Sequence, residues 1–111
     1  MAAPISTAST ALASSLEEMR EHASDAAQLL KALANENRLM ILCALSEGEM
    51  SVGHLNQRVD LSQSALSQHL AVLRRDGLVT TRREAQTIYY SLATGPAGRI
   101  IEVLHGIYCG S

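Results

Sequence analysis

At 111 residues and 11.9 kDa the chain has the size of one domain and leaves no room for a two-domain enzyme with its own cleft. With 47% hydrophobic and 18% charged residues and only two prolines it is neither disordered nor collagenous, and without Trp or Phe its core must be built from Leu, Ile, Val, Ala and Met, which favour helices. The net charge of −2 is unevenly spread: residues 1–57 hold three basic and seven acidic side chains, residues 58–99 hold six and three, and residues 100–111 hold Glu102 alone.

In chain order, Met1 to Ser15 is rich in Ala, Ser and Thr and lacks the basic and apolar stretches of a secretory signal, so residues 1–15 read as a flexible tail ahead of a domain over residues 16–111. From Leu16 the spacing Leu16, Met19, Ala23, Ala26, Ala27, Leu30, Leu33 follows the helical period, with Glu17, Glu18 and Glu21 in the first turn, where the helix dipole favours carboxylates. Asn35 caps a second helix over residues 38–46, whose run Leu39 to Leu45 is apolar all round and is expected to be buried; Gly48 ends it. Ser51 caps a short third helix reaching Val59. Ser62 caps a fourth, in which Ala65, Leu66, His69, Leu70, Val72 and Leu73 face inward until Gly77 stops it.

The hydrophobic period then changes from about 3.6 residues to about 2. Leu78 to Arg83 and Thr87 to Leu92 read as strands joined by the polar link Glu84, Ala85, Gln86, a β-hairpin. Gly95 and Pro96 break the second strand, and a last helix from about Ala97 to Cys109 carries a broad apolar face of Ile100, Ile101, Val103, Leu104, Ile107 and Tyr108. The expected fold is mainly α with a β-hairpin wing: a winged helix-turn-helix of five helices and two strands. So short a chain buries only about 60 to 70% of its unfolded surface, so a second copy is expected as a partner.

On the fourth helix the outward positions Gln63, Ser64, Ser67, Gln68, Ala71 and Arg75 are short or hydrogen-bonding side chains of the kind that enters a major groove. The basic residues Arg58, Arg74, Arg75, Arg82 and Arg83 lie around the edges, where phosphates are met. Double-stranded DNA is therefore the expected partner, with Gln63, Ser64, Ser67, Gln68, His69, Arg75, Arg82, Arg83 and Gln86 as the candidate contacts. His69 reads equally well as a hydrogen-bonding group within the fold. The same helix also has a plain reading as an amphipathic helix with a solvated face, and Arg82 and Arg83 as solubilising charge on a hairpin. No Gly-rich phosphate loop and no acid/base pair in a cleft is evident, so no enzyme and no cofactor is expected.

The segment Leu61-Ser-Gln-Ser-Ala-Leu-Ser-Gln-His-Leu70, followed by Leu73-Arg-Arg-Asp-Gly-Leu-Val79, resembles the recognition region of ArsR/SmtB-family bacterial transcription regulators, and the likeness runs from about Leu29 to Cys109. The resemblance implies a homodimer formed through the first and last helices that binds an inverted-repeat operator and is released by an inducer. Metal-sensing members need several converging donors. Here Cys43 has no second thiol near it, and on the last helix only Glu102 and His105 stand three residues apart, so no metal site is expected; Glu102, His105 and a thiol remain the metal-responsive alternative.

Two cysteines without a secretory segment point to a reducing cytoplasmic compartment, where a bond between them would be regulatory. Taken singly, each reads as a small buried hydrophobe. Together with Leu39 to Cys43 and the ending Leu104-His-Gly-Ile-Tyr-Cys109, they resemble the persulfide-sensing subgroup of SqrR-, BigR- and HlyU-like regulators. That resemblance implies that Cys43 and Cys109 react with sulfane sulfur and become joined by a disulfide or polysulfide bridge that lowers operator affinity. It leaves open a cysteine-independent regulator and an activator that displaces a silencing protein.

Overall fold

The computed structural model describes residues 2–110, with side-chain detail from Ser15 onward. The elements in order are α1 (Ala2–Leu33), α2 (Glu36–Leu45), β1 (Met50–Ser51), α3 (Val52–Arg58), α4 (Gln63–Arg75), β2 (Val79–Glu84), β3 (Thr87–Leu92) and α5 (Pro96–Tyr108). The chain divides into two compact units, one ending at Leu30 and the other beginning at Lys31. In the first unit, the helix read from Leu16 starts instead at Ala2. The tail expected over residues 1–15 falls almost wholly outside the residues whose side chains are described. Within this unit Leu16, Met19 and Leu30 are exposed.

The second unit is organised by caps that the sequence supplies locally. The Asn35 side chain accepts from the Arg38 amide at 3.0 Å, the Ser51 hydroxyl from the His54 amide at 3.1 Å, and the Ser62 hydroxyl from the Ala65 amide at 3.2 Å, fixing the starts of α2, α3 and α4. α2 begins two residues earlier than expected, at Glu36, and its apolar run is not buried all round. Ile41, Leu42, Ala44 and Leu45 are buried, Leu39 and Cys43 are half-buried and Met40 is 56% exposed. The Asn56 side chain donates to the Leu61 carbonyl at 2.7 Å and pins the turn between α3 and α4. Beneath that turn the core gathers Ile41 and Leu42 of α2, Leu55 of α3, Leu66, Leu70 and Leu73 of α4, and Ile101 of α5, all essentially without solvent contact.

α4 ends in a Schellman arrangement. Gly77 takes φ 75°, its amide donates to the Arg74 carbonyl at 3.1 Å, and the Leu78 amide reaches back to the Leu73 carbonyl at 2.8 Å. A side chain at Gly77 would cost about 1 kcal/mol or more in that conformation. Buried Leu73 and Leu78 are the two ends of this closure, so the stop of α4 also completes the core.

The sheet has three antiparallel strands in the order β1-β3-β2, where two strands were expected. β1 is only two residues long, and its second residue is also the cap of α3, so no alternation could announce it. The hairpin link is two residues, Ala85 and Gln86, rather than three; Glu84 belongs to β2 and lies opposite Thr87. Ala85 adopts φ 55°, the left-handed conformation that so tight a turn demands. Gly95 and Pro96, expected to break the second strand, also open α5, which starts one residue earlier than expected with Pro where its missing amide costs nothing and ends at Tyr108 with Cys109 as its cap. α5 packs against α2.

Candidate nucleic-acid interface and thiol pair

The residues of α4 sort by helical period. Leu66, Leu70 and Leu73 are buried; Ala65, His69 and Val72 form a half-buried stripe beside them; Gln63, Ser64, Ser67, Gln68, Ala71, Arg74 and Arg75 are exposed on the opposite side. His69 thus sits at the border of the core and Gln68 on the open face. Between that face and the sheet lies a groove of about 460 Å³ lined by Ser67, Ala71, Arg74, Arg75 and Tyr90. Tyr90 was not among the expected residues. Its place follows from the register, which sets it opposite Thr81 on the sheet face turned toward α4.

The basic residues expected at the edges of α4 are not equivalent. Arg58 is paired with Glu47, with contacts of 2.7 and 2.8 Å, and Arg75 is a loose partner of Asp76 at 3.3 Å while staying 69% exposed. Arg74 and Arg83 make no ion pair among the described residues. Strand alternation puts Arg82 and Arg83 on opposite faces of β2. Arg83 shares the face of Val79, Thr81 and Tyr90, toward α4; Arg82 shares the other face with Glu84 and with its cross-strand neighbour Tyr89. There its guanidinium donates twice to the Glu49 carboxylate, each bond 2.8 Å, and once to Glu84 at 2.8 Å, with its carbon 4.5 Å from the Tyr89 ring centre. Gln86 is exposed at the hairpin tip.

The thiols lie on the two helices that pack together, Cys43 within α2 and Cys109 as the C-terminal cap of α5. Cys43 is half-buried and Cys109 is exposed, with its amide donating to the His105 carbonyl at 2.7 Å. Burial pushes the Cys43 thiol up, and so, to a lesser extent, does a negative charge on the nearby Cys109. The two sulfurs are therefore electrostatic neighbours, and no disulfide joins them. α5 leaves Val103, Ile107 and Tyr108 exposed, at 61%, 63% and 82%.

Glu102 and His105 are both exposed and border a second groove of about 720 Å³ together with Glu47, Glu49 and Ser91. Among the described residues no group of three or more His, Cys, Asp or Glu side chains converges as a metal site would require. Nor is any helix among them long and apolar enough to cross a membrane.

Residues 35–81, which span α2 to the middle of β2, match the profile of bacterial regulatory proteins of the arsR family. Over 94 residues the chain is 58% identical to the transcriptional activator HlyU of Vibrio cholerae, covering 85% of this chain and 87% of that one. The solved structure of reduced HlyU from the same species superposes with a TM-score of 0.79 over 84% of this chain and 98% of that one. A biofilm growth-associated repressor of Agrobacterium fabrum is 50% identical over 85% of this chain and 80% of its own length. At 30% identity, a possible ArsR-family regulator from Mycobacterium bovis, solved in solution as a homodimeric winged helix-turn-helix DNA-binding domain, superposes with a TM-score of 0.71 over 82% of this chain and 85% of that one.

Proposed function

The chain belongs to the ArsR family of bacterial regulatory proteins, and on that basis we propose that it is a cytoplasmic homodimeric repressor whose DNA affinity falls when reactive sulfur species bridge Cys43 and Cys109. Its relatives are transcription regulators and not enzymes. The observation that carries the DNA reading is the exposed face of α4, with Gln63, Ser64, Ser67, Gln68 and Arg75 beside a groove that Arg74 and Tyr90 complete. Arg83 and Gln86 extend that surface onto the wing, and His69 supports α4 from the core border. Short polar side chains in the middle with cations at the rim suit base edges flanked by phosphates.

Dimerisation through the first and last helices is supported by exposed Leu16, Met19 and Leu30 on α1 and by exposed Val103, Ile107 and Tyr108 on α5, apolar surface that a single copy leaves in water. Two copies would set their recognition helices about 34 to 36 Å apart, one turn of DNA, and so read an inverted repeat.

The exposed Cys109 and half-buried Cys43 support a sulfur chemistry in which Cys109 reacts first. The exposed Cys109, as thiolate, attacks the outer sulfur of a persulfide R–S–SH; that S–S bond breaks, Cys109 becomes a perthiol and the thiol R–SH leaves. The Cys43 thiolate then attacks the Cys109 sulfur and expels hydrosulfide, leaving a disulfide. The persulfide is the oxidant and the two cysteines are oxidised. If Cys43 has also become a perthiol, the Cys109 perthiolate attacks the Cys43 sulfur, expels hydrosulfide and leaves a bridge with one inserted sulfur. Each inserted sulfur lengthens the reach by about 2 Å, so helix spacing selects the bridge. Either bridge fastens α2 to α5, and through α5 alters the dimer seam that spaces the recognition helices.

Selection of duplexes from a random DNA pool by the reduced protein tests the DNA reading. The expected result is enrichment of an inverted repeat held by two copies; no enrichment, or one copy on a half-site, overturns it. A second reading, an activator that works by displacing a silencing protein, is favoured by the 58% identity to an activator.

A further inference from the structure

We propose that Arg82 is the positioning residue of the wing rather than a DNA contact: it ties β2 to the segment that leads into α3 and thereby holds Arg83 toward the DNA. The inference rests on the DNA-binding reading above, and it separates two adjacent arginines that the sequence presents as equals.

Three observations carry it. The first is direction. With a period of two along β2, Arg83 lies on the face that meets α4 and the groove at Tyr90, while Arg82 lies on the far face, paired across the sheet with Tyr89. A duplex docked on the open side of α4 meets Arg83 and not Arg82. The second is occupancy. Both nitrogens of one edge of the Arg82 guanidinium are bound by Glu49 in a parallel pair of 2.8 Å bonds, and a third bond of 2.8 Å goes to Glu84. Arg82 counted with these two carboxylates carries a net charge of −1, which repels a phosphate; Arg83 has no such partner among the described residues. The third is what Glu49 belongs to. It immediately precedes β1, whose Met50 and Ser51 pair with Tyr90 and Tyr89, and Ser51 is the cap of α3. The clamp therefore runs from the outer strand of the wing, over the Tyr89 ring, to the entry of the helix-turn-helix.

Isolated ion pairs on a protein surface contribute little, but a bidentate Arg–carboxylate pair extended by a second carboxylate and an aromatic face is the geometry in which they count. Arg82 also holds the Glu49 carboxyl below its usual range through that hydrogen bonding.

The test uses the full chain and the duplex that the reduced wild-type protein selects. The slope of log affinity against log salt counts neutralised phosphates at roughly 0.9 per contact. Arg83→Gln is expected to flatten the slope by about that amount per protomer. Arg82→Gln is expected to leave the slope unchanged while weakening binding by roughly three- to tenfold at every salt concentration. Glu49→Gln discriminates most sharply. It removes a negative charge, so it would tighten binding if Arg82 were a phosphate contact; as a broken clamp it weakens binding as Arg82→Gln does, and the double variant is no worse than either single one. In the free protein, amide hydrogen exchange of the β2–β3 hairpin should quicken in Arg82→Gln and Glu49→Gln and stay unchanged in Arg83→Gln. A flattened slope in Arg82→Gln, or tighter binding by Glu49→Gln, overturns the proposal. If the exchange results hold while the wild-type protein selects no duplex, the DNA reading has failed and the role assigned to the clamp falls with it.

Discussion

Replacing Cys43 with Ser is expected to leave the DNA affinity of the reduced protein within about twofold of wild type and to abolish its fall on exposure to glutathione persulfide. The response at stake is a coupling of roughly 1 to 3 kcal/mol, or a 5- to 150-fold change in affinity. A hydroxyl at the half-buried position on α2 is close to the thiol in size but forms no bond to sulfur. Cys109 then stops at the perthiol, α2 is never fastened to α5 and the dimer seam keeps its reduced geometry. The reduced protein adds a pH signature. Burial, and to a lesser extent a charge on Cys109, raise Cys43 above the ordinary thiol value of 9.0, so only a small fraction is thiolate near neutrality. Raising the pH increases that fraction, and alkylation of Cys43 in the reduced protein should accelerate toward and beyond pH 9, as followed by intact mass. A Cys43→Ser protein that still released DNA on persulfide treatment would remove the thiol pair from the mechanism.

Ser67→Glu is expected to cost roughly a hundredfold or more in affinity for the selected duplex, with no loss of fold. Ser67 is exposed in the middle of the open face of α4 and lines the groove with Ala71, Arg74, Arg75 and Tyr90. A carboxylate there meets base-edge acceptors and phosphates head on. A lost or repulsive contact in each half-site costs about 1 to 3 kcal/mol, and the dimer suffers it twice. Glu forms helix better than Ser, so thermal stability should hold or rise slightly, which distinguishes a damaged surface from a damaged fold. Unchanged DNA affinity, measured by fluorescence anisotropy, would mean that α4 is not the reading helix.

Much of this site was legible because its determinants are local. Asn35, Ser51 and Ser62 cap the helices they were expected to cap, since a cap depends on an amide only three residues away. The sorting of α4 into Leu66, Leu70 and Leu73 against Ser67 and Gln68 needs only the helical period. What escaped is non-local or one residue fine. Met40 is apolar yet exposed, because burial depends on which elements surround α2 and not on its own composition. Reading the hairpin link as three residues instead of two hid the opposition of Arg82 to Tyr89, and a one-residue slip in a strand exchanges its faces. The partner that sets Arg82 apart, Glu49, is 33 residues away in the chain and is brought there by a strand of two residues. The helices carrying Cys43 and Cys109 were likewise readable, whereas the proximity of the two thiols depends on the packing of α2 against α5.

The most direct test of the account measures intact mass and binding to the selected duplex on the same sample, with the reduced protein titrated by glutathione persulfide beside hydrogen peroxide and zinc controls. DNA is expected to be released in proportion to a species in which Cys43 and Cys109 are joined, either directly with the loss of two hydrogens or through added sulfur; reductant restores both mass and binding, and zinc causes neither bridge nor release. Release without a bridge, or a fully bridged protein that binds DNA as tightly as the reduced one, would contradict it.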